Sequence, residues 1–141
     1  MNQNYIDPSN INVDWGYRTI LIVEDVEPNY RYLKSALVKT NAKIEHASSG
    51  LEAINKCANN NNIDIVLMDL HMPEMSGLAA TKEIKKIRQD IVIVAHTAFV
   101  YSGERQKSLD AGCDEYIAKP IRADELIIRL KNTLLKAGKN A

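Results

Sequence analysis

The sequence predicts an α/β protein in which a five-stranded parallel sheet is covered by helices on both faces. Three observations carry this prediction. Strand-like and helix-like segments alternate five times, at intervals of about 20–25 residues. Two of the strand-like segments, "TILIV" at Thr19–Val23 and "IDIVLMD" at Ile63–Asp69, are almost continuously apolar, as strands buried on both faces must be. The segments between strands carry apolar residues at i, i+3 and i+4 spacing, which gives a helix one covered face.

Taken in order, the first seventeen residues are polar and Asn-rich and read as a tail or linker ahead of a domain spanning 18–137, with 138–141 as a short C-terminal tail. After the first strand, Pro28 suits the opening turn of a helix. Asn29, Tyr32, Leu33, Ala36 and Leu37 then form its expected inward stripe, leaving Tyr30 off it. "KIEHA" (Lys43–Ala47) alternates like an edge strand. Ser49-Gly50-Leu51-Glu52 has the spacing of a capping box and opens the second helix, which the polar run 59–62 ends. A loop after Asp69 leads into a third helix over about 76–87. "IVIVAH" (91–96) is the fourth strand, and Gly112 is placed to terminate the fourth helix. "EYIA" is the fifth strand, Lys119-Pro120 turns the chain, and 124–136 carries Leu126, Ile127, Leu130 and Leu134 at helical spacing.

Composition excludes several classes of function. Eighteen basic residues balance eighteen acidic ones, so there is no electrostatic footprint for nucleic acid or for an anionic membrane. No apolar run is long enough to cross a bilayer, and the N-terminus lacks the basic and apolar regions of a signal peptide; the expected location is the cytoplasm. Cys57 and Cys113 are isolated and read as small packing residues rather than a disulfide or zinc site.

In an open parallel sheet, ligands gather beyond the carboxyl ends of the strands. Glu24 and Asp25 follow the first strand, Asp69 ends the third, His96 and Thr97 end the fourth, and Lys119 follows the fifth. The first and third strands, being the most apolar, are expected side by side at the centre. Three carboxylates then share one edge of the sheet, facing a hydroxyl and an ammonium. Such crowding calls for a cation, and an open all-oxygen site suits Mg²⁺. With the cation in place Asp69 can stay ionised and act as a nucleophile towards a phosphoryl group. Taken singly, each residue has a plainer reading. Glu24 and Asp25 would suit a helix N-terminus, and Asp69 an Asx turn before Pro73. Thr97 and Lys119 would be ordinary loop residues, and His71 and His96 structural or solvent-facing. Their concurrence at successive strand ends is what points to phosphoryl transfer.

The segments "ILIVEDVEPN", "DIVLMDLHMPEMSGLAATKEI", "IVIVAHTA" and "AGCDEYIAKPI" resemble the receiver domains of two-component response regulators, and the wording is most like receivers of hybrid sensor histidine kinases. The resemblance implies a doubly wound, flavodoxin-like (βα)5 fold with strand order 2-1-3-4-5. It implies a signalling module rather than an enzyme with a separate substrate. Asp69 would be the phospho-acceptor; Asp25 would bind Mg²⁺ directly, Glu24 through water, and His71 by its backbone carbonyl. Thr97 would be the switch hydroxyl, Lys119 the phosphate-pairing lysine, Tyr116 the aromatic that moves with Thr97, and Pro120 would follow a cis peptide bond. The implied partner is a histidine kinase or a histidine phosphotransfer domain, docking over a rim that includes Tyr30 and Phe99. A homodimer through the face of the fourth helix, fifth strand and fifth helix is the assembly such receivers admit. Glu24, where Asp is commoner, is the single variation in the acidic set.

Two other phosphate-handling classes fit less well. A haloacid-dehalogenase-type phosphatase needs Asp-x-Asp-x-Thr after the first strand, and "EDVEP" lacks the second Asp and the Thr. A flavodoxin-type FMN module needs Ser, Thr and Gly there, whereas Glu24, Asp25 and Glu27 would repel a phosphate.

Overall fold

The computed structural model describes residues 11–98 and 101–141. The strands are β1 (Thr19–Val23), β2 (Lys43–Ala47), β3 (Ile63–Asp69), β4 (Val92–Thr97) and β5 (Glu115–Ala118). They alternate with α1 (Glu27–Ala36), α2 (Gly50–Asn59), α3 (Gly77–Ile87), α4 (Glu104–Ala111) and α5 (Ala123–Lys136). All strand pairs are parallel and the sheet order is β2-β1-β3-β4-β5. The sheet is therefore doubly wound, in the order the resemblance implies.

Alternation along the strands builds two cores. Ile20 and Ile22 face Leu33, Leu37, Ile127 and Leu130 on one side; Leu21 and Val23 face Ala53, Ala80 and Ile84 on the other. That two-sided burial is why the central strands had to be apolar throughout.

The local signals mostly act as their chemistry requires. The Ser49 hydroxyl accepts the Glu52 amide at 3.1 Å, while the Glu52 carboxylate reaches back to the Ser48 amide and hydroxyl, each at 3.0 Å. The reciprocal half of this capping box is therefore displaced by one residue. Ser76 caps α3 by accepting the Ala79 amide at 3.2 Å. Gly112 ends α4 at φ 115°, a left-handed conformation that favours glycine.

Two expectations need correction. Residues 11–17 do not stand apart from the domain. Trp15 is wholly buried in the α1/α5-side core, Ile11 and Val13 pack against it, and the Trp15 amide donates to the Thr40 carbonyl at 2.6 Å. A sparse pattern of Ile, Val and Trp among polar residues was enough to dock, because this end of the core offers an uncovered apolar surface. The C-terminal residues also lie against the domain: Arg18 donates to the Asn140 carbonyl, and Ala141 packs on the same core.

The phase of α1 also differs. Leu33, Ala36 and Leu37 are buried as expected, but Tyr30 is the half-buried tyrosine and Tyr32 the exposed one, at 48%. Tyr30 stacks on His46 of the edge strand, ring centroids 3.8 Å apart and ring planes nearly parallel. The expected stripe and the observed one share their last three members, so spacing alone could not separate them; His46, distant in sequence, decides.

Candidate functional site

The register of the sheet assembles the acidic residues. Val23 pairs with Met68, so the next residues, Glu24 and Asp69, leave their strands at one level. His96 pairs with Asp69, and Thr97 with Ala118, immediately before Lys119. Glu24, Asp25 and Asp69 each offer a carboxylate oxygen within 4.8 Å of the others. Glu24 and Asp69 are buried and Asp25 is exposed, which leaves the cluster open on one side.

Lys119 is the counter-charge. Its ammonium lies 2.9 Å from Glu24 Oε2 and 4.0 Å from Asp69 Oδ1. The other oxygen of Glu24 accepts from the Asn29 side chain at 3.3 Å and the Val26 amide at 3.4 Å. Asp69 Oδ1 accepts the His71 amide at 3.1 Å. Thr97 is fully buried at the end of β4, its carbonyl accepting the Lys119 amide at 2.8 Å, and the Lys119–Pro120 peptide is cis.

The electrostatics of Asp69 follow from this crowding. Burial pushes its carboxyl up from the ordinary value to about 6; the Lys119 ammonium and His71 amide oppose the rise, and Glu24 and Asp25 add to it. A folded-state value above the unfolded 3.8 means that stabilisation from protonated Asp69 is complete below about pH 4 and lost as pH rises through about 6. Asp69→Asn, neutral at every pH, should therefore be more stable than the metal-free parent at pH 8. The gain should be on the order of 3 kcal/mol and should largely vanish near pH 4. Thermal melts of both proteins at the two pH values in EDTA check this; a constant difference between pH 4 and 8 would refute it.

His96, expected to be structural or solvent-facing, is structural. It is completely buried, and burial followed by the nearby Lys119 pushes its imidazole down to about 3, so the ring is neutral. Its Nδ1 comes no nearer than 4.0 Å to Glu24. His71 directs its ring elsewhere, Nε2 standing 2.9 Å from Glu104 Oε2. Tyr116 is buried, its hydroxyl donating to Glu104 Oε1 at 2.8 Å.

Of the expected rim, Tyr30 is half-buried against His46, and Phe99 falls outside the described residues. An open groove of about 250 Å³ between α1 and the β5–α5 turn is lined by Asn29, Tyr32, Leu33, Lys119, Pro120 and Ile121. The Tyr32 hydroxyl bridges it by donating to the Ile121 carbonyl.

Sequence reasoning missed three residues that shape this region. Asn29, expected in the core stripe, instead supports Glu24 through its side-chain amide. Gly77 is needed because the backbone of Asp69 lies against it. Glu104 had the pattern of an ordinary acid in the first turn of a helix, and nothing local marks it as buried.

Residues 20–131 match the response regulator receiver domain family. Among curated proteins, the chain is 42% identical over 112 residues to the hybrid signal transduction histidine kinase G of Dictyostelium discoideum, covering 76% of this chain but 3% of that protein. It is 34% identical over 119 residues to the polar-differentiation response regulator DivK of Brucella ovis, covering 83% of this chain and 96% of that one.

Among solved structures, the receiver domain of a Pseudomonas aeruginosa sensor histidine kinase has a magnesium ion coordinated in its active-site cleft. It superposes with a TM-score of 0.76 at 29% identity, over 83% of this chain and 97% of that one. The receiver domain of Saccharomyces cerevisiae Ssk1, solved with the histidine phosphotransfer protein Ypd1, gives 0.76 at 28% identity, over 85% and 91%. With the family match running from the first strand into the last helix over a sheet of the same order, this chain belongs to the receiver domains of two-component signalling systems.

Proposed function

We propose that this receiver accepts a phosphoryl group on Asp69 from a phosphohistidine, in a Mg²⁺-dependent step of a histidine-to-aspartate phosphorelay. The observation that carries the reading is the set of three carboxylates within 4.8 Å of one another, with the Lys119 ammonium 4.0 Å from Asp69. An all-oxygen, charge-crowded set of this kind fits a hard divalent cation. Glu24, Asp25, Asp69 and the His71 backbone carbonyl would hold it. Mg²⁺, when bound, neutralises charge on the carboxylates and on the incoming phosphoryl oxygens.

The chain's own residues do the rest. An Asp69 carboxylate oxygen attacks phosphorus, an O–P bond forms, the N–P bond to the donor imidazole breaks, and the imidazole leaves with the N–P electron pair. Lys119 pairs with the phosphoryl oxygens and Thr97 offers its hydroxyl to them. The resulting pull on Thr97, together with Tyr116, shifts the face formed by α4, β5 and α5. A homodimer through that face is the assembly this reading expects.

The donor would be a histidine kinase or histidine phosphotransfer domain, seated over Asp69 on the groove lined by Asn29, Tyr32 and Pro120. The complex of the yeast relative with a phosphotransfer protein supports such a partner. Similarity to a hybrid kinase and to a response regulator of almost the same length supports two settings, the receiver of a hybrid kinase or a stand-alone receiver.

Acetyl phosphate tests the chemistry without a partner. Intact-mass spectrometry should show one added phosphate in the parent protein with Mg²⁺, and none with EDTA or in Asp69→Asn. Labelling of Asp69→Asn equal to the parent would overturn the assignment.

A further inference from the structure

On the α4 side of the domain a chain of polar contacts runs from the loop after β3 to β5 through the buried Glu104. Asp69 Oδ1 accepts the His71 amide at 3.1 Å; the His71 ring meets Glu104 Oε2 at 2.9 Å; Glu104 Oε1 accepts the Tyr116 hydroxyl at 2.8 Å. Glu104 is 7% exposed and Tyr116 6%. The Tyr101 ring packs edge-on against His71, centroids 5.6 Å apart. One carboxylate thus joins the loop after β3, the first turn of α4 and the middle of β5.

The rest of α4 makes that carboxylate more important. The buried residues of this helix are Glu104, Ser108 and Ala111, so apolar burial of its own side chains contributes little to holding it down. It begins at Gly103, in the left-handed region at φ 82°, with open space where a Cβ would stand. A short helix with a polar underside, entered through a glycine, is held mainly by specific contacts. Specific contacts have alternatives, whereas a packed apolar face does not. A buried carboxylate must keep its partners, since an unpartnered one is costly. Glu104 therefore favours Tyr116 inward and His71 in place together.

We propose that Glu104 is a positioning residue that couples the loop carrying His71, next to Asp69, to the inward position of Tyr116, as a second connection between the acceptor and the α4 face. This rests on the reading of Asp69 as the phospho-acceptor. Any change in the Asp69–His71 backbone contact when the carboxylate becomes an acyl phosphate is transmitted through the His71 ring to Glu104, and from Glu104 to the tyrosine hydroxyl. The Tyr116 phenol, pushed up to about 12 by burial and then by Glu104, agrees with that contact.

The test uses the full chain, ring-labelled at tyrosine and histidine for NMR, with acetyl phosphate and Mg²⁺ as the phosphorylation probe. Tyr116→Phe assigns the Tyr116 signal. In the resting protein Glu104→Ala should move both the Tyr116 and the His71 ring signals and lower the Tyr116 phenol pKa. With phosphate, Asp69 should still be labelled, yet the bias of Tyr116 towards its phosphorylated position should fall about 5-fold or more, the lower end of ordinary site-to-site couplings. Glu104→Gln should restore most of the response, because its amide oxygen still accepts from the phenol and its amide group can donate to His71. General loosening of the fold would not be rescued in this way.

Should Glu104→Ala fail to fold, His71→Phe cuts the same chain from its other side, and the Tyr116 response must fall there too. Unmoved ring signals, or an undiminished Tyr116 response in labelled protein, would overturn the coupling while leaving the phospho-acceptor reading intact. An Asp69 that acetyl phosphate does not label in the parent protein would overturn that reading and the coupling with it. The resting-state ring signals would then show separately whether the Glu104 contacts themselves exist.

Discussion

Gly77→Ala should destabilise the protein by about 3 kcal/mol, at the upper end of overpacking costs, and should disable Asp69 at the same time. A Cβ at this position would fall 2.2 Å from the Asp69 carbonyl oxygen, 2.8 Å from Leu70 Cα and 2.9 Å from the Asp69 carbonyl carbon. All three atoms are backbone, so no side chain can rotate away. Ala is otherwise the better helix former by roughly 1 kcal/mol, and the steric cost must overcome that gain before any loss is seen. The Gly77 amide also donates to the Leu70 carbonyl at 3.1 Å, tying the start of α3 to the residue after Asp69. Relief of the clash must therefore move either that first turn or the Asp69–Leu70 peptide. For a chain of this length the change amounts to a fall in Tm of roughly 10 °C, measured by circular dichroism without metal. Labelling by acetyl phosphate should fall as well, because the carboxylate moves with its backbone. A Tm within about 2 °C of the parent would show that this close approach is not structurally required.

Trp15→Ala should cost about 3–5 kcal/mol, the range for removing a large buried aromatic. Trp15 is fully buried among Ile20, Leu37 and other members of the α1/α5-side core. Among the described residues its indole N–H finds no hydrogen-bond partner, so its shown contribution is packing rather than a polar contact. Trp15→Phe should accordingly cost much less, because it keeps most of the buried aromatic surface. As the only tryptophan in the chain, Trp15 reports on its own burial through a blue-shifted emission that is lost on unfolding. Removal of residues 1–17 should lower Tm about as much as Trp15→Ala; a truncated protein with the parent's Tm would restore the reading of this segment as a mere tail. Neither change should prevent labelling of Asp69 below the melting temperature, since Asp69 lies at the opposite, carboxyl end of the strands.

Much of this protein was determined by short-range pattern. Short, nearly continuous apolar runs read as strands covered on both faces, and Ser49 and Gly112 act within a turn of their own positions, so their roles were legible from neighbours alone. The acidic residues at the strand ends were legible for a related reason: parallel strands share one direction, so residues just past their ends must meet. Tertiary structure decided what depended on a partner far along the chain. His46 selected Tyr30 over Tyr32 as the half-buried tyrosine of α1, because two helical phases sharing Leu33, Ala36 and Leu37 are equivalent until something occupies one side. An uncovered patch of core turned a polar tail containing Trp15 into part of the domain. Glu104, an ordinary helix-start acid by its sequence, became a buried bridge because Tyr116 and His71, 12 and 33 residues away, both present hydrogen-bonding groups to it. Periodicity records which side of an element is covered, but what covers it, and which polar groups meet there, is settled when distant segments pack and desolvate one another.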